Sequence, residues 1–412
     1  MPSSADRLFG VSVRFNGVED PQLYNCAEQF VITEQIGEGS HFNLVVSLCR
    51  NDDGSWPHLE EAEKGLWNRV TVTVTVGKHK DVLMDGYISH IHVATTPSDG
   101  TLKATFTVVD VSYVMGLKQR CKTWPPGKTY EDIANEIITG APYSLTAVIE
   151  PNPPSAGGST ARSVVQRHSD LQFLRELARR RGYEFYVMGA TAYFRTPNLQ
   201  SAPQKAIASN FGDKSNCDDL QIFVNGTTPV RAAGSRLDPH TGERVSPPPA
   251  TPDDTGQPPM GSTDATAGRS DSSPVPLTTV VARRPPVGSA SEMQAYLNGV
   301  MSRSSCLLKA TGTMNGLRYG AILRTHKNVT IFGFGKTYTG DYYVRKVVHT
   351  FTPKTYRVQF EACRNRMGEL APGDASAIED PSSAALPLAV TADPPDTDVV
   401  TVQESGSQVA PG

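Results

Sequence analysis

The residues with the most obvious chemical reading are Gly335, Lys336 and Thr337, which match the end of a phosphate-binding loop. Such a loop needs a glycine five residues before the Gly-Lys pair, so that successive backbone N–H groups can curl around a phosphate, and a helix must follow whose N-terminus faces the anion. Thr330 stands at the glycine position. The stretch from Thr337 to Phe351 is rich in Tyr, Val and Thr and alternates in polarity, which predicts a strand. The segment therefore reads as a strand, a glycine-marked turn from Gly333 to Gly340 and a second strand, with no nucleotide hydrolysis.

The other reactive side chains give weaker signals. His90 and His92 lie two apart on a strand and share a face, but no third metal ligand stands near them in sequence. His349 sits within a strand pattern, where an imidazole packs or hydrogen-bonds more often than it titrates for a purpose. The acidic pairs Asp52–Asp53 and Glu60–Glu61 fall in polar loops and read as solvated. Arg179, Arg180 and Arg181 form a short basic cluster that would suit an acidic neighbour or nucleic acid in a lumen, and equally the negative end of a helix. There is no Gly-x-Ser-x-Gly turn and no His-Glu-x-x-His helix. The six cysteines (Cys26, Cys49, Cys121, Cys217, Cys306, Cys363) include no Cys-x-x-Cys pair and read as reduced thiols. No catalytic residue, cofactor or metal is expected.

The elements around these residues are mostly strands. A chain of 412 residues exceeds one ordinary domain, and its 31 prolines and 35 glycines leave little room for long helices. The formal charge of -3 gives no global attraction to nucleic acid or anionic membranes, so sequence-specific nucleic-acid binding is not expected. No apolar run approaches the ~20 residues of a membrane helix, and the N-terminus lacks a hydrophobic signal region.

Residues 1–119 read as a first β unit. In its "RVTVTVTVG" segment Val70, Val72, Val74 and Val76 share one face, with threonines on the other. The run "TLKATFTVVDVSYVMG" adds a strand with Leu102, Ala104, Phe106 and Val108 on one side. Residues 120–215 read as a small α/β unit. One helix is capped by Thr129, carries Ile133 and Ile137 and stops at Gly140; a second is capped by Ser169 and ends at Gly182 with three arginines in its last turn. A hairpin turning at Gly189 follows. Residues 216–234 and 304–368 read as a second β unit, split by a Pro/Ser/Thr-rich insertion at 235–303 that ends in a helix. Residues 369–412 read as a mobile tail. On the strand from Tyr342 to Phe351, Tyr342, Val344 and Val348 fall on one side and Tyr343, Val347 and Phe351 on the other. One of these faces is expected to meet a neighbouring subunit.

Two blocks resemble phage late control D proteins and related contractile-tail baseplate hubs. The first, "SVVQRHSDLQFLRELARRRGYEFYV", contains the Ser169–Asp170 cap, Phe173–Leu174 and the Gly182 exit. The second runs from Gly320 through Gly333 and Gly335, Gly340, Tyr342 and Val344, then His349, to Arg364 and Asn365. Tyr319 departs from the family's habit of a proline before the glycine, and the insertion is long. The resemblance implies two tail-tube-like β-barrels per chain, joined by the α/β unit, and a homotrimer whose pseudo-six-fold ring adapts the hexameric tail tube to a separate trimeric spike protein. It further implies baseplate wedge and LysM-type adaptor partners, assembly in the bacterial cytoplasm, and a place in a virion or injection-particle baseplate. The competing readings are a tail-associated cell-wall hydrolase and a β module that binds carbohydrate or nucleic acid. A hydrolase needs a carboxylate pair or metal triad in a cleft, a binding module exposed aromatic platforms.

Overall fold

The computed structural model describes residues 9–95, 101–151, 163–228, 231–237, 242–251, 258–263, 272–274, 277–283, 290–304 and 306–368. The expected tail at 369–412 lies outside the described residues.

The chain opens with β1 (Phe9–Phe15), β2 (Val18–Glu19), α1 (Leu23–Cys26), β3 (Ala27–Gln35), β4 (His41–Leu48), β5 (Arg69–Val76), β6 (His79–Thr95) and β7 (Leu102–Asp110). Next come α2 (Val111–Leu117), β8 (Lys122–Trp124), α3 (Tyr130–Thr139), β9 (Thr146–Ile149), β10 (Val164–Gln166), α4 (Asp170–Arg181), β11 (Glu184–Met188) and β12 (Thr191–Arg195). The remainder comprises β13 (Gln204–Ala208), β14 (Asp219–Val224), β15 (Arg231–Leu237), β16 (Arg244–Val245), β17 (Thr279–Arg283) and α5 (Ala290–Ser304). It finishes with β18 (Leu308–Asn315), α6 (Gly316–Tyr319), β19 (Asn328–Phe332), α7 (Gly335–Tyr338), β20 (Gly340–Phe351) and β21 (Tyr356–Arg364).

Thirteen strands make one sheet in the order β14-β18-β21-β20-β3-β4-β7-β6-β5-β1-β2, with β13 and β19 branching from β20. All its neighbours pair antiparallel except β13 and β19, which are parallel. The period-two pattern explains the core: Val70, Val72, Val74 and Val76 are all buried, as are Leu102, Ala104, Phe106 and Val108. The two β regions were expected to form separate closed barrels. Among the described residues none closes. Instead β20 aligns with β3 from Lys346↔Gln35 to Phe351↔Phe30, so the edges that would have closed each half satisfy one another across the join. One apolar core accordingly runs through both halves, from Phe30, Phe42 and Phe106 to Val347, Phe351 and Val358.

Three local differences from the sequence reading have physical causes. The strand expected to continue to Met115 stops at Asp110, whose carboxylate accepts from Ser112 N at 2.9 Å and Ser40 N at 2.6 Å and so caps α2. In β20 the register against β21 shifts between Val344 and Lys346. That bulge turns Val344, Val347 and Phe351 all into the subunit's own core, so neither Val347 nor Phe351 is free for a neighbour. Finally, β13 pairs with β19 in the large sheet although its place in the sequence assigns it to the small unit.

The small unit has its own core, in which Trp124, Ile133, Phe173, Leu174, Leu177 and Phe194 are buried. Thr129 caps α3 in a reciprocal capping box with Asp132, and Ser169 caps α4 by accepting from Gln172 N. The β11–β12 hairpin turns at Gly189 as its sequence indicates. Parts of the insertion are ordered: β17 pairs parallel and β16 antiparallel with β15, which straddles the expected boundary at 234 and joins this small sheet instead of the large one, and Ala232 of β15 packs with Met293, Leu297 and Met301 of α5.

Candidate functional site

Three motif positions of the C-terminal block, Gly340, Tyr342 and Asn365, gather around a fourth, Arg364. The side chain of this last residue of β21 is fully buried. Its Nε donates to Met260 O at 2.6 Å, Nη1 to Thr339 O at 2.9 Å and Nη2 to Gly368 O at 2.5 Å. Three carbonyls from three segments thus hold one guanidinium, which lies 5.7 Å from the Tyr342 ring centroid. Gly340 is required here because a Cβ at that position would stand 2.8–2.9 Å from the guanidinium atoms. Next door, Asn365 Oδ1 accepts from Met260 N at 2.9 Å and its Nδ2 donates to Pro258 O at 3.4 Å. Arg364 and Asn365 therefore clamp the 258–263 stretch of the insertion onto the end of the sheet. Val344 packs in the core below, and Gly320 ends the short α6, whose Tyr319 donates its hydroxyl to Lys205 O at 2.6 Å.

The loop between β19 and β20 contains α7, a single turn of four residues, where a plain turn was expected. Lys336 and Thr337 are exposed, and the chain returns to strand at Gly340, so no extended helix faces an anion. Lys336→Ala and Thr337→Ala are expected to change stability by less than about 0.5 kcal/mol and to bind no ATP, as checked by denaturant melts and calorimetry.

His349 is fully buried, with Nδ1 2.9 Å from the Tyr356 hydroxyl. Burial, moderated by Glu34, pushes its pKa down to about 4. The unfolded imidazole titrates near ~6.5, so the unfolded chain binds the proton first. Stability contributed by the neutral ring is complete above that value and falls as the pH drops through the window from ~6.5 to about 4. The full loss is on the order of 3 kcal/mol, and His349→Asn is expected to flatten the corresponding part of a pH series of urea melts.

The helix motif is structural in the same sense. Asp170, buried at the first turn of α4, is 2.9 Å from Arg120 Nε and accepts from Tyr143 Oη at 2.8 Å and Gln166 Nε2 at 2.7 Å. Phe173 and Leu174 fill the small core, and Gly182 is the left-handed C-cap. The three arginines divide: Arg181 pairs with buried Glu131 at 3.1 Å, Arg180 with Glu176 at 2.6 Å, and Arg179 is exposed.

His90 and His92 are exposed on β6. Among the described residues one group has ligands close enough for a metal, Asp20, His58 and Glu61. Lys64 occupies it: its ammonium is 2.6 Å from Asp20 Oδ2 and 3.0 Å from His58 Nδ1, and it also contacts Glu61. The buried ammonium fills the place between these three side chains.

Sequence reading missed the junction of the sheet with the small unit. Arg324 Nε lies 2.9 Å from Glu34 Oε1, both side chains being buried, and Nη1 contacts Asp81. Beside them His326 Nδ1 is 2.9 Å from Glu184 Oε2, which also accepts from Tyr343 Oη at 2.9 Å. The His326 ring stacks on Tyr186 with centroids 3.5 Å apart. These contacts bind β3, β6, β11 and β20 into one body.

No protein-family model and no curated protein matches this chain. Solved structures do. A tail protein from Neisseria meningitidis MC58 superposes with a TM-score of 0.63 at 12% identity, covering 87% of this chain and 97% of its own. The 43 kDa tail protein of prophage MuSo2 from Shewanella oneidensis gives 0.61 at 11%, covering 87% and 99%. A prophage tail protein from Listeria monocytogenes EGD-e gives 0.50 at 12%, covering 87% and 95%. The chain has the fold of phage tail proteins over nearly their whole length.

Proposed function

We propose that the chain is a structural, non-enzymatic hub subunit in the baseplate of a contractile phage tail or phage-derived injection system. The observation that supports this reading is the reciprocal overlap in fold with tail proteins over most of both chains. The two halves of the large sheet, on either side of the β3–β20 pairing, act as two tube-like units. Three subunits then present six such units to a hexameric tail tube, while a separate trimeric spike docks on the three-fold face and wedge and LysM-type proteins bind outside.

The joined sheet suits a load-bearing part. A subunit whose halves share a ladder and a core cannot hinge at the join without breaking β3–β20 hydrogen bonds. Ring contacts of an obligate assembly bury roughly 2,000–5,000 Å². With Val347 and Phe351 inside the subunit, those contacts fall to exposed residues such as Phe223 and Val224 on edge strand β14. Light scattering on the full chain, alone and with its spike, is expected to give three times the subunit mass, and a deletion after Glu369 is expected to leave the trimer intact. A monomer in every sample would overturn the reading.

A further inference from the structure

A cleft of about 200 Å³ opens between α4, α5 and the ends of β20 and β21, with Met260 and Asn365 of the Arg364 clamp at one side of it. Arg175 and Arg179 of α4, Arg303 of α5 and Arg345 of β20 all line it. The single carboxylate in the lining, Glu184, is hydrogen-bonded by Tyr343 and contacts His326, and it favours the charge on Arg303 and Arg345 only from a distance, without pairing with either. Among the described residues none of the four arginines makes an ion pair with a carboxylate, and Arg175 Nε and Arg303 Nη1 are buried without a hydrogen-bond partner. Arg345 faces the thiols of Cys306 and Cys363, which are poor acceptors.

This arrangement is costly as it stands. Arg179 repels both Arg175 and Arg303, and burial disfavours the charge on the latter two. A desolvated guanidinium with unused donors raises the free energy of the fold unless an anion supplies acceptors. Guanidiniums are planar forks that match the paired oxygens of phosphoryl groups, and several around one volume select an anion with several such oxygens. The volume is several times the ~30 Å³ share of one water, enough for two linked phosphoryl groups.

We propose that this cleft binds a compact oxyanion of the pyrophosphate type, held by Arg175, Arg179, Arg303 and Arg345. The site is independent of the hub assignment, since it lies within one subunit. Calorimetric titration of the full chain with pyrophosphate, with citrate and sulfate at matched ionic strength as comparisons, tests it. Pyrophosphate is expected to bind one per subunit with a dissociation constant below about 1 mM. Arg303→Gln and Arg179→Gln are each expected to weaken it about tenfold or more, and Arg14→Gln on distant β1 to leave it unchanged. Because Arg179 is exposed, its variant keeps the test valid if Arg303→Gln unfolds. No saturable heat, equal binding by the arginine variants, or tighter binding of citrate than of pyrophosphate would overturn the proposal.

Discussion

Arg324→Ala is expected to destabilise the subunit by about 3–5 kcal/mol, because it strands Glu34 as an uncompensated buried carboxylate. Glu34 and Arg324 are only 3% and 5% exposed and meet at 2.9 Å. Thr325 donates its N–H and hydroxyl to the same carboxylate at 3.3 Å, too little to replace a guanidinium. The cost comes from leaving one partner without the other, so the double change Glu34→Leu with Arg324→Met is expected to recover most of it. Asp81, the second partner, is 45% exposed at its side chain and can return to water. Denaturant titration of the single and double variants decides the matter: a loss below about 1 kcal/mol in Arg324→Ala would mean that the junction is not held by this pair.

Gly333→Ala is the second large effect. Gly333 has φ +117, which side chains rarely tolerate, and a Cβ there would stand 2.1 Å from the Ser209 carbonyl oxygen. That oxygen belongs to the backbone just after β13, so relief requires moving the β13–β19 pair. Strain and clash together are expected to cost about 2–6 kcal/mol. Gly335→Ala is the internal comparison, with φ +68 and open space at its Cβ, and should cost only about 1–2 kcal/mol. Equal losses in the two variants would show that the close approach of Ser209 is not what demands glycine at 333.

The features legible in the sequence were those written in short-range periodicity. The valines of β5 declare a half-buried strand, and the Thr129 and Ser169 caps with their apolar spacing declare α3 and α4. The motif residues Gly340, Tyr342 and Arg364 were legible only as a pattern. That they form one clamp depends on Met260, 104 residues before Arg364, passing beside its guanidinium. The join of the two sheet halves was hidden for a related reason. An open edge looks the same in sequence whether it closes on its own barrel or on a distant strand, and the β20 bulge, which no residue type announces, moved Val347 and Phe351 inward. The Glu34–Arg324–Asp81 group joins Arg324 to residues 243 and 290 positions away, and isolated charges read as solvated until the fold surrounds them.

The hub assignment itself is tested most directly by cryo-electron microscopy of the assembled particle, with the chain located in the baseplate density. Three copies arranged as a ring between the last hexamer of the tail tube and the spike, each contributing both halves of its sheet to the pseudo-six-fold layer, are the result the account requires. A different copy number, or a position on the outside of the baseplate away from the tube axis, would contradict it.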